Sequence, residues 1–384
     1  MNILTVADYY LPGFKGGGPI RSIENMVAWL GDEFAFHILT RNHDLGDVTP
    51  YPLIRSGQWQ PVGKAQVMYL TPEQMSITAL RKLLHDADYD LLYINSFFST
   101  LSIKLMGLYH LRQIPRTPLL LAPRGEFSPG ALALKATKKR VFISLARFSQ
   151  MLNGVHWQAS TADEQAAIQA AIPAAQQIHI APNMRPPVPQ FTPEPVQKAP
   201  DSPLKIVFVS RISPKKNLDY ALERLTKVSI TVQFDIYGPI EDEVYWQKCR
   251  QLIERLPTHI GADYRGPVRP DAILKTFSQY HLFFFPTRGE NFGHVIWEAL
   301  FAGCPVLISD QTPWHDLESA GVGWAIPLNQ PERFVEIIEQ MAQMDSATFN
   351  TMAQTTHAYG RESAGDDNVL QTNREMLLRV LGRQ

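Results

Sequence analysis

Short apolar runs alternate with amphipathic segments of helix length along both halves of the chain. In the first half the runs lie at residues 2–7, 36–40, 91–94 and 119–122. In the second half they lie at residues 205–210, 232–237, 281–285 and 305–309. Continuous apolar runs that are bounded by turn formers and separated by helices indicate parallel strands covered on both faces. The pattern therefore predicts two α/β domains in series.

A proline-rich stretch separates the two halves. Eight prolines lie from Pro182 to Pro203, and proline both fixes φ and removes a backbone donor, so this stretch resists helix and sheet. A last amphipathic segment predicts a terminal helix. The predicted parts are an N-terminal domain over 1–190, a linker over 191–203, a C-terminal domain over 204–365 and a terminal helix over 366–384.

Composition narrows the class of protein. The 384 residues are 45% hydrophobic and 19% charged, which suits two globular domains. Residues 1–200 carry 18 basic and 14 acidic side chains, a balance of +4 that is too weak for a nucleic-acid binder. Only two cysteines occur, and the start has no basic region before an apolar run. We expect a cytoplasmic protein without a disulfide framework.

The segment from Phe285 to Asp310 carries the richest chemistry. Its pattern predicts a strand, a glycine-containing loop and a helix that begins between Phe292 and His294. The N-terminus of such a helix binds anions, and a glycine at position 293 lets a phosphate approach the backbone. Glu290 in the loop and Glu298 on the helix supply carboxylates that accept hydrogen bonds from sugar and ribose hydroxyls.

Glu290 and Glu298 enclose seven residues, Glu298 begins the sequence Glu-Ala-Leu, and Gly-x-Pro-Val-x-x-Ser-Asp follows. This arrangement resembles the signature of the retaining glycosyltransferases of family 4, which have the GT-B fold. The resemblance implies two Rossmann-like, doubly wound α/β domains that face each other across a cleft. It also implies a UDP- or GDP-linked sugar donor in the C-terminal domain and a terminal helix that returns to the first domain.

A second match to the family is Ser210-Arg211 with Lys216, directly after the first strand of the second domain. In the family these cations hold the donor diphosphate, which agrees with the negative charge that a leaving diphosphate develops. A lone arginine or lysine is more often a solvated surface cation. The resemblance implies that Glu290, Arg211 and Lys216 are catalytic. The implied donor-binding residues are Glu298, Asn291, Phe292, Gly293, His294, Gly17, Gly18 and Val268.

No metal or other cofactor is expected. The sequence has no His-x-x-x-His or Cys-x-x-Cys pair, and the leaving diphosphate itself can take the acceptor proton in a front-face substitution. The glycines at 16–18 fail the dinucleotide fingerprint because Arg21 stands at its last glycine position. Two alternatives remain open: an isomerase of the same fold, such as a 2-epimerase, and a nucleotide-sugar-binding module without turnover.

Asn95 and Arg124 stand where many family members carry histidines. Arg124 contacts the donor or the acceptor, or it forms a salt bridge with a neighbour such as Glu126. The segments Pro123 to Pro129 and Thr312 to Trp314 resemble a bacterial subgroup that builds lipopolysaccharide, capsule or exopolysaccharide chains. That subgroup implies transfer of a hexosyl or N-acetylhexosaminyl group to a saccharide acceptor that is often lipid-linked.

The region 131–152 has a basic amphipathic character. No acid occurs from Phe127 to Ala162, whereas five bases do. Five apolar residues share one helical stripe: Leu134, Val141, Leu145, Phe148 and Leu152. Such a helix either lies on an anionic membrane surface or packs on its own sheet with solvated lysines.

Overall fold

The computed structural model describes residues 1–85, 87–133, 136–187, 190–194, 196, 198–199, 202–363 and 367–383. The chain divides into two compact units. The first comprises Met1–Pro187 together with Asp366–Gln384, and the second comprises Val188–Gly365. Each unit is an α/β structure built on a mostly parallel sheet, which confirms the predicted fold class.

The first unit follows the predicted alternation of strands and helices. Its elements up to residue 180 are β1 (Asn2–Val6), α1 (Gly18–Leu30), β2 (Ala35–Arg41), β3 (Trp59–Val62), β4 (Ala65–Leu70), α2 (Ile77–His85), β5 (Leu91–Asn95), α3 (Thr100–His110), β6 (Leu119–Ala122), α4 (Pro129–Ala133), α5 (Ala136–Phe148), β7 (His156–Ala159), α6 (Ala162–Ala171) and β8 (Gln177–Ile180).

The sheet of the first unit has the order β3-β4-β2-β1-β5-β6-β7-β8, and only the β3–β4 pair is antiparallel. The chain builds outward from β1 on one side and from β5 on the other. The strand order therefore reverses between these two strands, which is where open α/β sheets bind ligands. Two apolar clusters cover the sheet, one on each face.

The second unit repeats this plan. Its elements are β9 (Leu204–Val209), a 3₁₀ turn (Pro214–Lys216), α7 (Leu218–Leu225), β10 (Val232–Tyr237), α8 (Glu243–Ile253), β11 (Ile260–Gly266), a 3₁₀ turn (Pro270–Ala272), α9 (Ile273–Phe277), β12 (Leu282–Phe285), α10 (His294–Phe301), β13 (Val306–Ser309), β14 (Gly323–Ile326), α11 (Pro331–Gln343) and α12 (Ser346–Glu362).

The second sheet is parallel, with the order β11-β10-β9-β12-β13-β14. Its order reverses between β9 and β12, because the chain builds outward from each of them in opposite directions. A single large apolar cluster surrounds this sheet, and the aromatic run of β12 lies wholly within it. The loops that follow β9 and β12 therefore leave adjacent strands at the same edge.

The last helix, α13 (Asp367–Val380), belongs to the first unit. It contributes Met376, Leu377 and Val380 to the apolar cluster that also contains residues of β1 and α1. Asn373 of the same helix is fully buried and donates to the carbonyl of Pro182 at 2.8 Å. The return of the terminal helix to the first domain is thus confirmed.

The exposed face of α5 differs from the packing expected of an apolar stripe. Ile143 and Ala146 point into the unit, whereas Val141, Leu145 and Phe148 are 55%, 59% and 90% exposed. Leu134 and Lys135 lie outside the described residues. Periodicity places the three exposed residues on one face correctly, but the packing of α5 directs the opposite face inward.

Candidate functional site

The site predicted from the sequence lies where the order of the second sheet reverses. Arg211 and Lys216 follow β9, and Glu290 to His294 follow β12, so the two loops leave neighbouring parallel strands. Gly238, at the end of β10, has φ 140°, and a side chain there would lie 1.8 Å from the carbonyl oxygen of Ser210. Only glycine allows the end of β10 to pass so close to the start of the loop that follows β9 and carries Arg211 and Lys216.

Asn217 joins the two loops. It adopts the left-handed conformation with φ 62°, and its amide nitrogen donates to the carbonyl of Pro286 at 2.8 Å. Its side-chain oxygen accepts from Nε of Arg288 at 2.9 Å. The backbone N–H of Arg288 in turn donates to the carbonyl of Lys215 at 2.9 Å. These bonds fix the 3₁₀ turn that presents Lys216 to the loop after β12.

Lys216 and Glu290 form an ion pair, Nζ to Oε1, across 74 residues of sequence. Their side chains are 11% and 13% exposed, and the ammonium group lies 5.6 Å from the centre of the Phe285 ring. The backbone N–H of Glu290 donates to the carbonyl of Gln311 at 2.9 Å, which holds its loop. The structure therefore brings together two of the three residues predicted to be catalytic.

Gly293 is the N-cap residue of α10, which begins at His294, within the range that the sequence predicts. Its φ of 77° and ψ of 56° are left-handed, and a side chain at this position would lie 2.8 Å from Cδ1 of Ile296. As a glycine it offers no side chain to cap the helix. Nε1 of Trp314 donates to the carbonyl of Phe292 at 2.8 Å and so supports the turn. The arrangement suits an anion at the start of the helix.

The other predicted donor residues surround this turn. The rings of Phe292 and His294 are 4.6 Å apart, and Asn291 is half-buried in the loop. Glu298 is half-buried in the middle of α10. Its neighbour Trp297 anchors the helix by donating from Nε1 to the carbonyl of Gly360 at 3.0 Å.

Arg211 forms an ion pair with a different carboxylate from the one that pairs with Lys216. Its Nη1 donates to Oε1 of Glu241 at 2.7 Å, and the two side chains are 30% and 34% exposed. Glu241 follows β10, and its backbone N–H donates to the carbonyl of Ile212, in the loop that follows β9, at 3.2 Å. Sequence reasoning missed Glu241, although an acid directly after a strand and a Gly-Pro turn was the available signal.

Val268 lies outside the two loops that follow β9 and β12. It follows β11, which is the edge strand of the sheet and lies two places from β9. The side chain is half-buried and packs against the apolar cluster of the second unit. A role in holding the nucleotide base stays a prediction.

In the first unit, Gly17 and Gly18 lie at the start of α1. Gly17 precedes the helix with φ 69° and ψ −132°, and Gly18 is exposed. The loop before them is held by Asp44, whose Oδ2 accepts from the backbone N–H groups of Phe14 at 2.8 Å and Lys15 at 3.1 Å. Asp44 is 4% exposed and was not identified from the sequence.

Asn95 and Arg124 are in direct contact at the ends of β5 and β6. Nε and Nη2 of Arg124 donate to Oδ1 of Asn95 at 3.0 and 2.7 Å. The predicted alternative, a salt bridge with Glu126, is wrong. The Glu126 carboxylate instead accepts from Oγ of Ser96 at 2.7 Å and from the backbone N–H of Phe97 at 2.5 Å.

The described ranges also contain features that bear on metal binding and on membranes. No group of three or more His, Cys, Asp or Glu side chains among these residues has a geometry that holds a metal ion. Within the same residues no helix is both long and apolar enough to cross a membrane.

Comparison with known proteins finds a family match within the second unit. Residues 191–361 match the family model for glycosyl transferases group 1. The proposed colanic acid biosynthesis glycosyltransferase WcaL of Escherichia coli K12 is 25% identical over 169 residues, which are 41% of this chain. The match spans only 40% of that relative's length.

Several solved structures share the fold of the whole chain. A sucrose-phosphate synthase from Thermosynechococcus elongatus has a TM-score of 0.72 at 13% identity and covers 99% of both chains. HepE of Anabaena, solved with UDP and glucose, has a TM-score of 0.67 at 17% identity, covering 98% of this chain and 99% of its own. WaaG, a glycosyltransferase involved in lipopolysaccharide biosynthesis, has a TM-score of 0.65 at 12% identity, covering 97% and 98%. The fold of the chain is GT-B.

Proposed function

We propose that the chain transfers a sugar from a nucleoside-diphosphate sugar to a saccharide acceptor, because residues 191–361 match the family model for glycosyl transferases group 1. The observation that carries this proposal is the Lys216–Glu290 pair, which forms where the loop after β9 meets the loop that leads to Gly293, the N-cap of α10. A cation, a carboxylate and a helix N-terminus at one sheet edge match the phosphate, the hydroxyls and the leaving group of such a donor.

The donor diphosphate is proposed to bind Lys216, Arg211 and the first turn of α10. Both cations are held by carboxylates of the chain, and a diphosphate replaces these with stronger anionic partners. Glu290 then accepts hydrogen bonds from the sugar hydroxyls, and Glu298 accepts them from the ribose. UDP is the first nucleotide to test, because HepE was solved with it at 17% identity.

The proposed reaction retains the anomeric configuration and needs no metal. The bond from the anomeric carbon to the diphosphate oxygen breaks, and the acceptor oxygen forms its bond on the same face. The acceptor proton passes to the departing diphosphate oxygen. Arg211, Lys216 and the α10 N-terminus stabilise the charge that develops on the leaving group, which is the electrostatic contribution expected of a transferase without a metal.

The acceptor is proposed to be a growing bacterial surface polysaccharide, attached to lipid. The printed roles of WcaL in colanic acid biosynthesis and of WaaG in lipopolysaccharide biosynthesis support this class of acceptor. The transferred group is proposed to be a hexosyl or N-acetylhexosaminyl group.

A membrane contact through α5 is part of this proposal. Three apolar side chains are exposed on the helix, and the same helix carries three exposed bases: Lys138, Arg140 and Arg147. Apolar residues between cations suit an anionic lipid surface. Phe148→Ser should weaken binding to phosphatidylglycerol vesicles about tenfold, because a phenylalanine at 90% exposure would enter the interface. Val244→Ser, which changes an 83%-exposed residue of the second unit, is the control.

The decisive experiment measures binding and turnover of the full chain with a panel of UDP- and GDP-sugars. We expect one donor to bind, and we expect Lys216→Ala and Glu290→Ala to lower transfer by at least a hundredfold. Lys215→Ala, in the same turn, should keep transfer near wild type. Activity should survive EDTA. Epimerisation of the donor without acceptor would instead establish an isomerase, and tight binding without any turnover would establish a binding module.

A further inference from the structure

Arg124 of the first unit is held only by neutral oxygens. Besides its two bonds to Asn95, Nη2 donates to the hydroxyl of Tyr93 at 2.6 Å and Nη1 donates to Oδ1 of Asn183 at 2.5 Å. The guanidinium carries five N–H groups, and these bonds use four of them. The guanidinium keeps its positive charge, and none of these neutral partners balances it, whereas a carboxylate or a phosphate would.

The acids of the neighbouring segments do not supply that anion. Glu126 caps the backbone after β5, as described above. Glu164 accepts from the backbone N–H of Gly125 at 2.5 Å and from the backbone N–H of Ser160 at 2.8 Å. Burial raises the pKa of Tyr93, so its hydroxyl also stays neutral. Among the described residues, no carboxylate lies within ion-pair distance of Arg124.

Asn95 adds a second, independent observation. The residue is 3% exposed, and its Nδ2 is buried without a hydrogen-bond partner. Because Oδ1 accepts two bonds from Arg124, the amide orientation is fixed and the unsatisfied N–H groups belong to the same cluster. Unsatisfied buried donors are costly and are retained where a ligand or water completes them.

The backbone supports the same conclusion. Ser96 has φ 92° and Arg124 has φ 56°, so a non-glycine residue is left-handed at the end of each of two paired strands. Such conformations cost free energy and concentrate at ligand sites. They lie at the carboxyl ends of β5 and β6, beside the place where the strand order reverses.

We propose that Arg124 and Asn95 bind an anionic phosphate oxygen of the substrate. The phosphate belongs to a phosphorylated acceptor, and a nucleoside diphosphate, which presents the same anionic chemistry, is the competing source that the test distinguishes. The inference rests on the proposed function only for the identity of the substrate. The pairing of a cation with unsatisfied N–H donors is a property of the first unit alone.

The test is calorimetric titration of the full chain with two probes, glucose 1-phosphate and UDP. Arg124→Gln should weaken the binding of one probe about ten- to a hundredfold, because a hydrogen bond to a charged group is lost. Arg124→Lys should restore part of it. The matched control is Arg116→Gln, which removes an exposed guanidinium that also lies over a tyrosine, 5.2 Å from the Tyr109 ring.

The two probes separate the sources. A loss confined to glucose 1-phosphate identifies a phosphorylated acceptor, and a loss confined to UDP identifies the donor diphosphate. Thermal unfolding of each variant separates binding from a structural role, because Arg124→Gln should melt within a few degrees of Arg116→Gln. Arg124→Gln that binds both probes as wild type does, or folded Arg124→Lys and Arg124→Gln with equal affinities, would overturn the proposal.

Failure of the proposed function has a different signature. A wild-type chain that does not bind UDP contradicts the glycosyltransferase proposal. The glucose 1-phosphate titrations of Arg124→Gln and Arg116→Gln then still decide whether the anion site exists.

Discussion

The Lys216–Glu290 ion pair allows a quantitative prediction about the second unit. Replacing Lys216 by Met leaves the Glu290 carboxylate, 13% exposed, without its cation, and Glu290→Gln leaves the ammonium group without its anion. Removing one partner of a buried pair costs about 3–5 kcal/mol. Because both side chains remain about one tenth exposed to solvent, we expect each single substitution to lower the free energy of unfolding by only about 2–3 kcal/mol.

The double variant separates the pair from its surroundings. With both charges gone, no unpaired ion remains, so Lys216→Met with Glu290→Gln should be more stable than either single variant. The coupling free energy is expected to be about 2 kcal/mol, within the range for residues in direct contact. It lies below the roughly 4 kcal/mol that Coulomb's law gives at 4 Å and an effective dielectric of 20, because desolvation opposes the attraction.

The assay is urea unfolding of the wild type, the two single variants and the double variant, with Lys215→Met as the control. The change in the free energy of unfolding for Lys215→Met should stay below about 1 kcal/mol, because Lys215 holds the loop after β12 through its backbone carbonyl, which the substitution keeps. Turnover should fall by orders of magnitude in all three pair variants, and the two losses should not multiply. A coupling free energy below about 0.5 kcal/mol would refute the reasoning.

Three further predictions concern neighbouring features. Glu241→Gln should tighten UDP binding about fivefold, because the diphosphate no longer competes with a carboxylate for Arg211. Glu243→Gln removes the same charge nearby and should leave UDP binding unchanged. Equal effects of the two substitutions would contradict the prediction. Gly238→Ala should lower the free energy of unfolding by more than 2 kcal/mol in urea, because its Cβ would strike a carbonyl oxygen. Burial and neighbouring His156 lower the pKa of His179 to about 4, below the unfolded value near 6.5, so stability should fall as the pH drops through this window. In thermal unfolding scans, the loss of stability between pH 6.5 and pH 4 should be about 1–2 kcal/mol smaller for His179→Asn than for the wild type.

The strands of both units were largely predictable because buried parallel strands read as continuous apolar runs. The six strands that were not predicted all lie at or next to a sheet edge: β3, β4, β7, β8, β11 and β14. Some of their sequences are partly polar, since β8 reads Gln-Ile-His-Ile and β3 contains Gln60 and Pro61. An edge strand pairs on one side only and needs less apolar surface.

The candidate site was predictable where function depends on short spacing, and unpredictable where it depends on partners distant in sequence. Gly293 and the start of α10 follow from one continuous segment. The partner of Arg124 at Asn183 does not, because it comes from the proline-rich stretch 59 residues later. The Arg211–Glu241 pair likewise needed the close passage at Gly238, which only the folded backbone reveals.

The return of α13 fixes an order of events during synthesis. The second unit is continuous from residue 188 to residue 365, so the ribosome synthesises all of it before it reaches residue 366. The first unit is emitted earlier but stays incomplete, because one apolar face still lacks Met376, Leu377 and Val380. A nascent chain therefore exposes that apolar face while the 178 residues of the other unit are translated. We expect chaperones to bind the chain mainly during this interval, because they recognise exposed apolar surface.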